Sequence, residues 1–406
     1  MNIFKKIGFR VYQKILHFSM YFLPFKEPLL FEGENSLEEM AAYLKHNDVK
    51  KLFIVTDENI IRFDFFSDIL RLLEKHEITS NIFTGVKPNP SIQLIEIAYK
   101  KYLEDTYDGL FAIGGGSAID LAKGIGIRFT HPNHSLQSRK GILKVLKKQP
   151  LLIAMPTTAG TGSEATVACV VTDEETNEKY AINDPVLIPK IACLNPKTCL
   201  DLPQSITATT GMDALTHAVE AYIGGSNTKK TKRMAKEAIK AINENLLSAY
   251  NNGSNLTIRM NMLKASYQAG VAFTRAYVGN IHALAHQLGG MYHIPHGLAN
   301  AVLMPHVLKY YQERAYKKLS ELYLVINSNA NPLEEKENAI QFIGWIKLMN
   351  KEMNIPEKIA LDIGEEDILL MSKRAYKEAN PLYPVPMIFE VNDFIKIYNQ
   401  AIEKAN

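Results

Sequence analysis

The pattern of apolar and polar positions divides the chain into two parts. Between about residues 50 and 195, short apolar runs alternate with segments whose apolar residues recur at helical spacing. The runs predicted as strands are KKLFIVTD, TSNIFTGV, DGLFAIGGG, PLLIAMPTT and IPKIACLN. The segments predicted as helices are FFSDILRLLEKH, SIQLIEIAYKKYLED and SAIDLAKGIGI. Such alternation is typical of a mostly parallel, Rossmann-like β-sheet covered by helices.

The pattern changes after the segment NPKTCLDLP. Strand-like runs nearly vanish, and helical patterns such as TKRMAKEAIKAINENLLSAY and EEDILLMSKRAYKEA continue to the end of the sequence. A chain of 406 residues also exceeds the usual size of one hydrophobic core. We therefore predict an α/β domain over residues 30–202 and an all-helical domain over residues 203–406.

Residues 1–29 are predicted to form a separate amphipathic extension. Ile7, Val11, Ile15 and Phe18 recur at helical spacing, which favours a helix docked on the protein or on a partner subunit. A helix lying on a membrane surface is the alternative. Charged residues interrupt the run before it reaches the roughly 20 apolar residues that span a bilayer, so no transmembrane segment is expected.

Composition narrows the choice of partners and compartment. Acidic and basic residues nearly balance, and the formal net charge is +3. The two local basic clusters, KVLKKQPLL and NTKKTKRMAK, are not interleaved with aromatic residues, so no nucleic-acid partner is expected. The three cysteines form no Cys-x-x-Cys pair and fit a reducing compartment, which predicts a cytoplasmic protein.

A glycine-rich turn follows the predicted strand DGLFAIGGG. Gly114, Gly115 and Gly116 precede a helix that Ser117 is expected to cap, with Asp120 as a capping-box partner. Glycines allow a phosphate to approach the backbone, and the helix N-terminus favours an anion. A tight strand–helix connection is the alternative interpretation, and the turn lacks the third glycine of the G-x-G-x-x-G pattern.

A second loop at a strand end strengthens the interpretation as a nucleotide site. The segment PTTAGTGSEAT follows an apolar strand and carries two glycines and several hydroxyl side chains. Open α/β sheets bind ligands at the carboxyl ends of their strands. Asp57 ends the first of these strands, where its carboxylate could bind ribose hydroxyls and repel a 2′-phosphate. A role as a turn or helix-cap residue is equally compatible with its position.

The second half of the chain carries candidate metal ligands. In GMDALTHAVEAY, Asp213 and His217 lie four residues apart on one helix face, and Glu220 falls on the same side. The intervening residues are apolar, so the helix is expected to be buried, and a buried carboxylate–imidazole pair needs a partner. A divalent cation is one such partner, and a hydrogen-bonded core pair is the other.

The segment HALAHQLGGMYHIPHG contains four of the eleven histidines of the chain. His282 and His286 are four residues apart, and His293 and His296 follow a Gly-Gly break. One carboxylate oxygen with three imidazoles suits Fe(II), Zn(II) or similar ions. Spacing alone does not decide which histidines bind.

Taken together, these motifs resemble the iron-containing (group III) alcohol dehydrogenase family. The resemblance covers nearly the whole chain from about residue 30, through VKPNP, IGGGSAIDLAKGIG, PTTAGTGSEAT, GMDALTHAVEAY and HALAHQLGGMYHIPHGLANAVLMPHV in that order. It implies a dinucleotide-binding domain, a metal-binding helical domain, NAD as cofactor, a divalent metal that is Fe(II) or else Zn(II), and a homodimer.

The resemblance also implies roles for individual residues. The family's metal ligands fall on Asp213, His217, His282 and His296, its nicotinamide-side histidine falls on His286, and an aromatic beside the substrate pocket falls on Phe273. The matched dinucleotide contacts are Asp57, Asn89, Gly115, Gly116, Ser117, Thr157, Thr158, Thr166 and Lys179. His293 matches no family role.

The implied reaction is hydride transfer between a small alcohol and NAD, with the metal polarising the substrate oxygen as a Lewis acid. Two departures from the family pattern are the longer N-terminal segment and Leu382, which stands where many members have arginine after Asn-Pro. A zinc-dependent polyol dehydrogenase and a dehydroquinate-synthase-like lyase use the same scaffold and are the alternatives. A catalytically silent member retained for binding is a third, although all four ligand positions are intact.

Overall fold

The computed structural model describes residues 3–20, 22–23, 25–176 and 178–404, so residues 1, 2, 21 and 24 of the predicted extension lie outside the described part. Its α-helices are α1 (Ile3–Met20), α2 (Ser36–His46), α3 (Asp64–Lys75), α4 (Ile92–Tyr102), α5 (Gly116–Thr130), α6 (Gln204–Ile223), α7 (Lys229–Asn251), α8 (Leu256–Ala276), α9 (Asn280–Tyr292), α10 (His296–Tyr311), α11 (Glu313–Ile326), α12 (Glu335–Glu352), α13 (Glu365–Ala379) and α14 (Val391–Ala401). Its strands are β1 (Leu29–Glu32), β2 (Lys51–Val55), β3 (Thr79–Phe83), β4 (Gly109–Gly114), β5 (Gly141–Ile142), β6 (Leu151–Pro156), β7 (Ala168–Asp173), β8 (Glu178–Asn183), β9 (Ile191–Leu194), β10 (Ile359–Leu361) and β11 (Ile402–Lys404).

The chain divides into two compact units. The first, called the sheet unit, consists of Pro24–Leu202 and Gly253–Tyr267. Its main sheet has six strands in the order β1-β9-β6-β4-β2-β3, and all neighbours pair in parallel. The five apolar runs predicted as strands are β2, β3, β4, β6 and β9. The prediction of a Rossmann-like α/β fold is confirmed.

Strand β2 shows why these runs are apolar throughout. Leu52 and Ile54 lie in a core with residues of α2 and α3, whereas Phe53 and Val55 lie in a second core with residues of α4 and α5. Both faces of the strand are therefore buried, so a polar residue on either face would lose its hydration.

A smaller sheet was not predicted from the sequence. Strands β7 and β8 pair antiparallel, and β5 adds in parallel to β8. Along β7, buried residues alternate with partly exposed ones, as expected for a sheet with one face against the core. The weaker apolar signal of such a strand explains why the sequence pattern did not indicate it.

The other compact unit, called the helical unit, consists of Met1–Leu23, Pro203–Asn252 and Gln268–Asn406. In it α6 packs against α7 and α10, and α9 packs against α10 and α13. The prediction of a helical second half is confirmed, and the short strands β10 and β11, which pair in parallel, are an addition to it. The predicted domain boundaries at residues 29/30 and 202/203 remain predictions.

Within the described ranges, no helix is both long and apolar enough to cross a bilayer.

The helix predicted near the N-terminus is α1, but its orientation differs from one expectation. Ile7, Val11, Ile15 and Phe18 are exposed, so they do not cover the core of the chain. Among residues 3–19 of α1, Gln13 is the one that is buried. The helix is held by polar contacts, which are described below.

Candidate active site

Helix α6 carries the first two candidate ligands. Its residues from Gly211 to Ile223 are all buried, because α7 and α10 pack against it. Asp213 is 2% exposed and His217 is 5% exposed. The Nδ1 atom of His217 lies 4.0 Å from Oδ2 of Asp213, as their spacing of four residues on one helix face predicts.

Helices α9 and α10 bring two histidines to the same carboxylate. His282 lies in the first turn of α9, and His296 is the first residue of α10. Their Nε2 atoms lie 4.0 and 3.5 Å from Oδ1 of Asp213. One ligand atom from each of four side chains lies within 4.8 Å of the other three, and the four residues are Asp213, His217, His282 and His296.

This cluster fits a divalent first-row ion. Such ions bind imidazole nitrogen at about 2.0–2.1 Å, which brings the ligand atoms of one shell to roughly 3–4 Å from each other. The distances between Asp213 and the three histidines lie in or near that range. One carboxylate oxygen with three imidazoles, and no thiolate, is a donor set for Fe(II) or Zn(II).

Asn300 completes the buried cluster and was not found by sequence reasoning. Its Nδ2 donates to Oδ1 of Asp213 at 2.7 Å and lies 3.3 and 3.2 Å from Nε2 of His282 and His296. It follows His296 by one helical turn of α10. That spacing is the only signal in the sequence that could have indicated it.

Glu220 lies behind His282 rather than among the ligand atoms. Nδ1 of His282 donates to Oε2 of Glu220 at 2.6 Å, so Nε2 is the nitrogen that faces Asp213. The same carboxylate accepts the backbone N–H groups of Gly279 and Ile281 at the start of α9. A Cβ at Gly279 would lie 2.6 Å from Oε1 of Glu220, so this approach requires glycine.

His286 has a carboxylate partner of its own. Its Nδ1 donates to Oε1 of Glu378 at 2.6 Å, and Glu378 also accepts from the hydroxyl of Tyr383 and from Nε2 of Gln287. The imidazole stacks beside that of His296, with 5.2 Å between ring centroids. Glu378 lies 92 residues from His286, and no sequence pattern connects them.

The two remaining candidates in the helical unit lie in different environments. The ring of Phe273 stacks on that of His217, with 4.2 Å between centroids and 14° between planes. His293 is exposed and ends α9 in a left-handed conformation at φ 55°. It is outside the four-residue cluster.

In the sheet unit, both predicted glycine-rich loops lie at the carboxyl ends of neighbouring strands. Strands β4 and β6 pair in parallel up to Gly114 and Pro156. A Cβ at Gly116 would lie 2.8 Å from Cγ2 and 2.9 Å from Oγ1 of Thr161. A side chain here would displace the second loop, so the close approach of the loops requires glycine at this position.

The predicted capping role of Ser117 was wrong. Helix α5 begins at Gly116, its N-cap is Gly115, and no side chain caps it. Ser117 is therefore the second residue of the helix and not its N-cap. Its Oγ instead accepts the backbone N–H of Asn89 at 3.2 Å. Asp120 accepts from Oγ of Ser163 and from the backbone N–H of Val170.

Five predicted dinucleotide contacts lie at or next to the two glycine-rich loops: Asn89, Ser117, Thr157, Thr158 and Lys179. Asn89 has φ 56° and accepts a hydrogen bond from Nζ of Lys179 at 2.8 Å, while its backbone contacts Ser117. Thr157 is buried, and its N–H donates to the carbonyl of Gly114. Thr158 contacts the position of a Cβ at Gly115, with its Oγ1 at 3.3 Å.

Thr166 and Asp57 have partners within the protein. The Thr166 hydroxyl contacts the ammonium group of Lys123 at 3.0 Å, and Thr166 is buried. Oδ1 of Asp57 accepts the backbone N–H groups of Asn59 and Ile60, which is the turn role considered from the sequence. Whether either residue also contacts a cofactor stays a prediction.

Lys123 was missed by sequence reasoning. Five oxygens surround its buried ammonium at 2.7–3.1 Å: the carbonyls of Ser163, Thr166 and Ala168 and the hydroxyls of Ser163 and Thr166. The three N–H groups of the ammonium thereby fix the second glycine-rich loop. Burial lowers the pKa of this lysine. The signal available in the sequence was a lysine within the apolar helix SAIDLAKGIGI.

The fold and the cluster together define a metal-binding dehydrogenase-like protein, and comparison with known proteins identifies its family. The family model "Iron-containing alcohol dehydrogenase" matches residues 28–196, and the model "Fe-containing alcohol dehydrogenase family, C-terminal" matches residues 207–402. The chain belongs to the iron-containing alcohol dehydrogenase family. Its enzyme class is therefore that of an oxidoreductase acting on alcohols.

Individual relatives agree over most of their length. Alcohol dehydrogenase 4 of Saccharomyces cerevisiae is 37% identical over 379 residues, which cover 93% of this chain and 97% of the relative. The NAD-dependent methanol dehydrogenase of Bacillus methanolicus is 31% identical over 94% of this chain and 99% of its own. The crystal structure of a 1,3-propanediol oxidoreductase matches with a TM-score of 0.88 and 34% identity, covering 94% of this chain and 100% of that one.

Proposed function

We propose that this alcohol dehydrogenase interconverts a small alcohol with its aldehyde or ketone and uses NAD(H) as the hydride carrier. The observation that carries the proposal is the buried cluster of one carboxylate and three imidazoles. We propose Fe(II) as the resident ion, with Zn(II) as the alternative. We also propose a cytoplasmic homodimer, and the three buried free cysteines support a reducing compartment.

The four ligands proposed are Asp213, His217, His282 and His296. When bound, the ion would supply Lewis-acid polarisation of the substrate oxygen. Glu220 contributes by fixing the ring of His282, because its hydrogen bond to Nδ1 leaves Nε2 free of a proton and able to bind a cation.

His286 is proposed as the residue that handles a proton or orients the nicotinamide. Its Nδ1–H is committed to Glu378, so Nε2 is the ring nitrogen that can accept a proton. The Tyr383 hydroxyl and Gln287 hold the same carboxylate, which fixes the orientation of the imidazole. Phe273 is proposed to form an apolar wall of the substrate pocket.

The dinucleotide is proposed to bind at the two glycine-rich loops of the sheet unit. Backbone N–H groups at the start of α5 and the dipole of that helix favour the pyrophosphate near Gly115 and Gly116. The other proposed contacts are Asp57, Asn89, Ser117, Thr157, Thr158, Thr166 and Lys179. Family membership does not decide between NAD and NADP, since relatives of both kinds are named, and the proposal of NAD rests on Asp57.

The polyol dehydrogenase and lyase alternatives are less well supported, because the family models and the relatives above are alcohol dehydrogenases. Net formation of NADH with simple alcohols separates the proposed function from the lyase, which regenerates its cofactor in each turnover. A panel of alcohols, diols, aldehydes and ketones with Fe(II)- or Zn(II)-loaded protein would identify the substrate class.

The variant His296→Ala tests the metal assignment. It removes one of four ligands, so we expect loss of bound metal and of turnover. Dinucleotide binding should be retained, because the proposed nucleotide residues lie in the sheet unit and His296 lies in the helical unit. Metal content by mass spectrometry, turnover, and NADH fluorescence titration measure the three quantities.

The matched control is His293→Asn. His293 is exposed, lies outside the cluster and has a left-handed conformation that asparagine tolerates. This variant should keep both metal and turnover. Full activity of metal-free His296→Ala protein would contradict the proposal.

A further inference from the structure

Helix α1 is attached to the helical unit through polar groups. The Nε2 atom of Gln13 donates to the carbonyl oxygens of Pro381 and Tyr383 at 3.0 and 2.8 Å. The guanidinium of Arg10 donates to the carbonyls of Val385 and Pro386 at 2.7 and 3.1 Å. These bonds fix the helix on one loop and determine which of its faces points to solvent.

The face that points to solvent is apolar. Large hydrophobic residues recur along it at helical spacing, and each is between 50 and 75% exposed: Ile3, Phe4, Ile7, Val11, Ile15 and Phe18, with Phe22 beyond the end of the helix. We call these residues the α1 stripe. A helix that merely packs on its own protein buries its apolar face and exposes its polar face. Here the arrangement is the reverse.

An exposed stripe of this kind indicates an interaction surface. Contiguous apolar patches are rare on soluble monomers and mark contacts with proteins or membranes. Transfer of apolar surface out of water is favourable by roughly 25 cal/mol per Å². Hydrogen bonds of Arg10 and Gln13 hold the stripe outward, so the helix cannot hide it by rotating without breaking them.

The charges beside the stripe indicate what covers it. Residues 3–20 contain no aspartate or glutamate. Lys14 is exposed and lies one turn from both Val11 and Phe18. Lys5 is also exposed, and its Nζ lies 5.6 Å from the ring centroid of Phe9 and 5.6 Å from that of Tyr376. Lys6 pairs with Glu390 at 2.9 Å, and Arg10 is held by carbonyls. The outward side of α1 is therefore apolar, and the charged side chains of residues 3–20 are all basic.

These features separate a lipid surface from a second copy of the chain. In a twofold contact the same patch meets itself, and α1 carries no acidic residue in residues 3–20 that could pair with Lys14 of the other copy. An anionic bilayer instead offers apolar acyl chains to the stripe and negative headgroups to the lysines. A helix of 18 residues is about 27 Å long and can lie in the plane of the interface.

We propose that α1 binds the enzyme to the surface of anionic membranes, with the α1 stripe inserted at the level of the headgroups and the body of the protein outside. This attachment is peripheral and requires no spanning helix. It is independent of the proposed reaction, because none of the stripe residues belongs to the candidate active site.

Vesicle sedimentation of the full-length holoenzyme tests the proposal. Wild-type protein should sediment with phosphatidylcholine vesicles that contain phosphatidylglycerol, and much less with pure phosphatidylcholine vesicles. The double variant Val11→Glu, Phe18→Glu places two charges in the stripe, and we expect its partition coefficient to fall at least about tenfold. Lys5→Glu with Lys14→Glu keeps the stripe and should remove the preference for anionic lipid.

The control is Leu333→Glu, which changes a leucine that is 88% exposed outside α1. It should bind vesicles as wild type does, and all variants should retain turnover, since they alter exposed side chains. Failure of wild-type protein to bind anionic vesicles would overturn the proposal, as would unchanged binding of the Val11→Glu, Phe18→Glu variant. Analytical ultracentrifugation tests for the other occupant. If wild-type protein forms an assembly that does not bind vesicles, and the Val11→Glu, Phe18→Glu variant dissociates it, the proposal is overturned and the stripe contacts a second copy.

Discussion

At the scale of single residues, two histidines one turn apart on α9 have the same kind of support. His282 and His286 each donate Nδ1–H to a carboxylate at 2.6 Å, the first to Glu220 and the second to Glu378. Only His282 belongs to the four-residue cluster. Substituting each carboxylate in turn therefore separates two effects. One is loss of the partner of a proposed metal ligand, and the other is loss of the partner of an imidazole outside the cluster.

Glu220→Gln is predicted to weaken metal binding. Glutamine has one acceptor oxygen, so it cannot serve His282 together with the N–H groups of Gly279 and Ile281. Loss of such partners of metal ligands typically lowers metal affinity about 10- to 100-fold. Competition with a fluorescent chelator measures this affinity. Glu378→Gln is the matched control, and an equal loss of affinity in both variants would contradict the role of Glu220.

Asp57 is predicted to make the enzyme prefer NAD(H) over NADP(H). A 2′-phosphate placed against its carboxylate is unfavourable by on the order of 1–3 kcal/mol, or roughly ten- to a hundredfold in relative affinity. Asp57→Gly should relax this preference. Asp57→Asn isolates the charge, since its side-chain oxygen can still accept from Asn59 and Ile60. The ratio of kcat/KM for the two cofactors is the measurement, and wild-type preference for NADPH would exclude this role.

The sequence revealed candidate ligands that lie one helical turn apart on the same helix. It missed contacts between residues that are far apart in the sequence. Asp213 and His217 were identifiable because four residues make one helical turn. Glu220 was placed on the correct side of α6, but its contact with His282 joins residues 62 positions apart. No periodicity encodes such a distance. The assignment of His296 over His293 came from family resemblance, because the chain breaks its helix between them.

At the scale of elements, the sequence predicted five strands of the main sheet, including the edge strand β3, and missed β1. β4 is buried along its whole length, whereas β1 is a four-residue strand at the sheet edge and is partly exposed. Three of the four residues of β1 are apolar, but a run of four residues is too short to show a period. The sequence signal of a strand therefore depends on the length of its apolar run as well as on its burial.

Close packing of α6 and α10 is predicted to make Gly297 irreplaceable. A Cβ there would lie 2.2 Å from the carbonyl oxygen of Thr209 on α6. Gly297→Ala should force the helices apart and lower stability by about 1–3 kcal/mol, and it should weaken metal binding because His296 is adjacent. Thermal unfolding and chelator competition measure both effects.

Gly344→Ala is the control for this helix–helix contact. Gly344 lies in α12, and apart from its chain neighbours and the backbone of its own helix no atom of the described residues lies within 4 Å of an added Cβ. Alanine should there raise stability by roughly 0.5–1 kcal/mol. If Gly297→Ala were equally harmless, the α6–α10 contact would not control the geometry of the cluster.

At the scale of the whole molecule, the two compact units do not follow a single cut in the sequence. Gly253–Tyr267 belongs to the sheet unit although it lies between two segments of the helical unit. Arg259 in this stretch donates to the carbonyl of Leu202, which contributes to the association. A hydrophobic pattern reports whether a segment is helical, and it does not report which core the helix joins.

The buried carboxyl of Glu164 in the sheet unit is predicted to make the free energy of unfolding depend on pH. Its carboxyl is 1% exposed in the second glycine-rich loop, and burial raises its pKa from 4.5 to about 7. The folded state thus holds a proton that the unfolded state releases between these values. Stability from this group is complete below about pH 4.5 and is lost as pH rises through about 7, with a total of roughly 3 kcal/mol.

Glu164→Gln is therefore predicted to stabilise the protein increasingly as pH rises. The variant cannot ionise, so the difference in unfolding free energy between variant and wild type should grow by up to roughly 3 kcal/mol from pH 5 to pH 8. Comparison at each pH cancels the contributions of all other groups, which both proteins share. Glu74→Gln, at an exposed position on α3, should show no such growth. Parallel stability profiles for wild type and Glu164→Gln would mean that the buried carboxyl is charged throughout, with Lys123 compensating it.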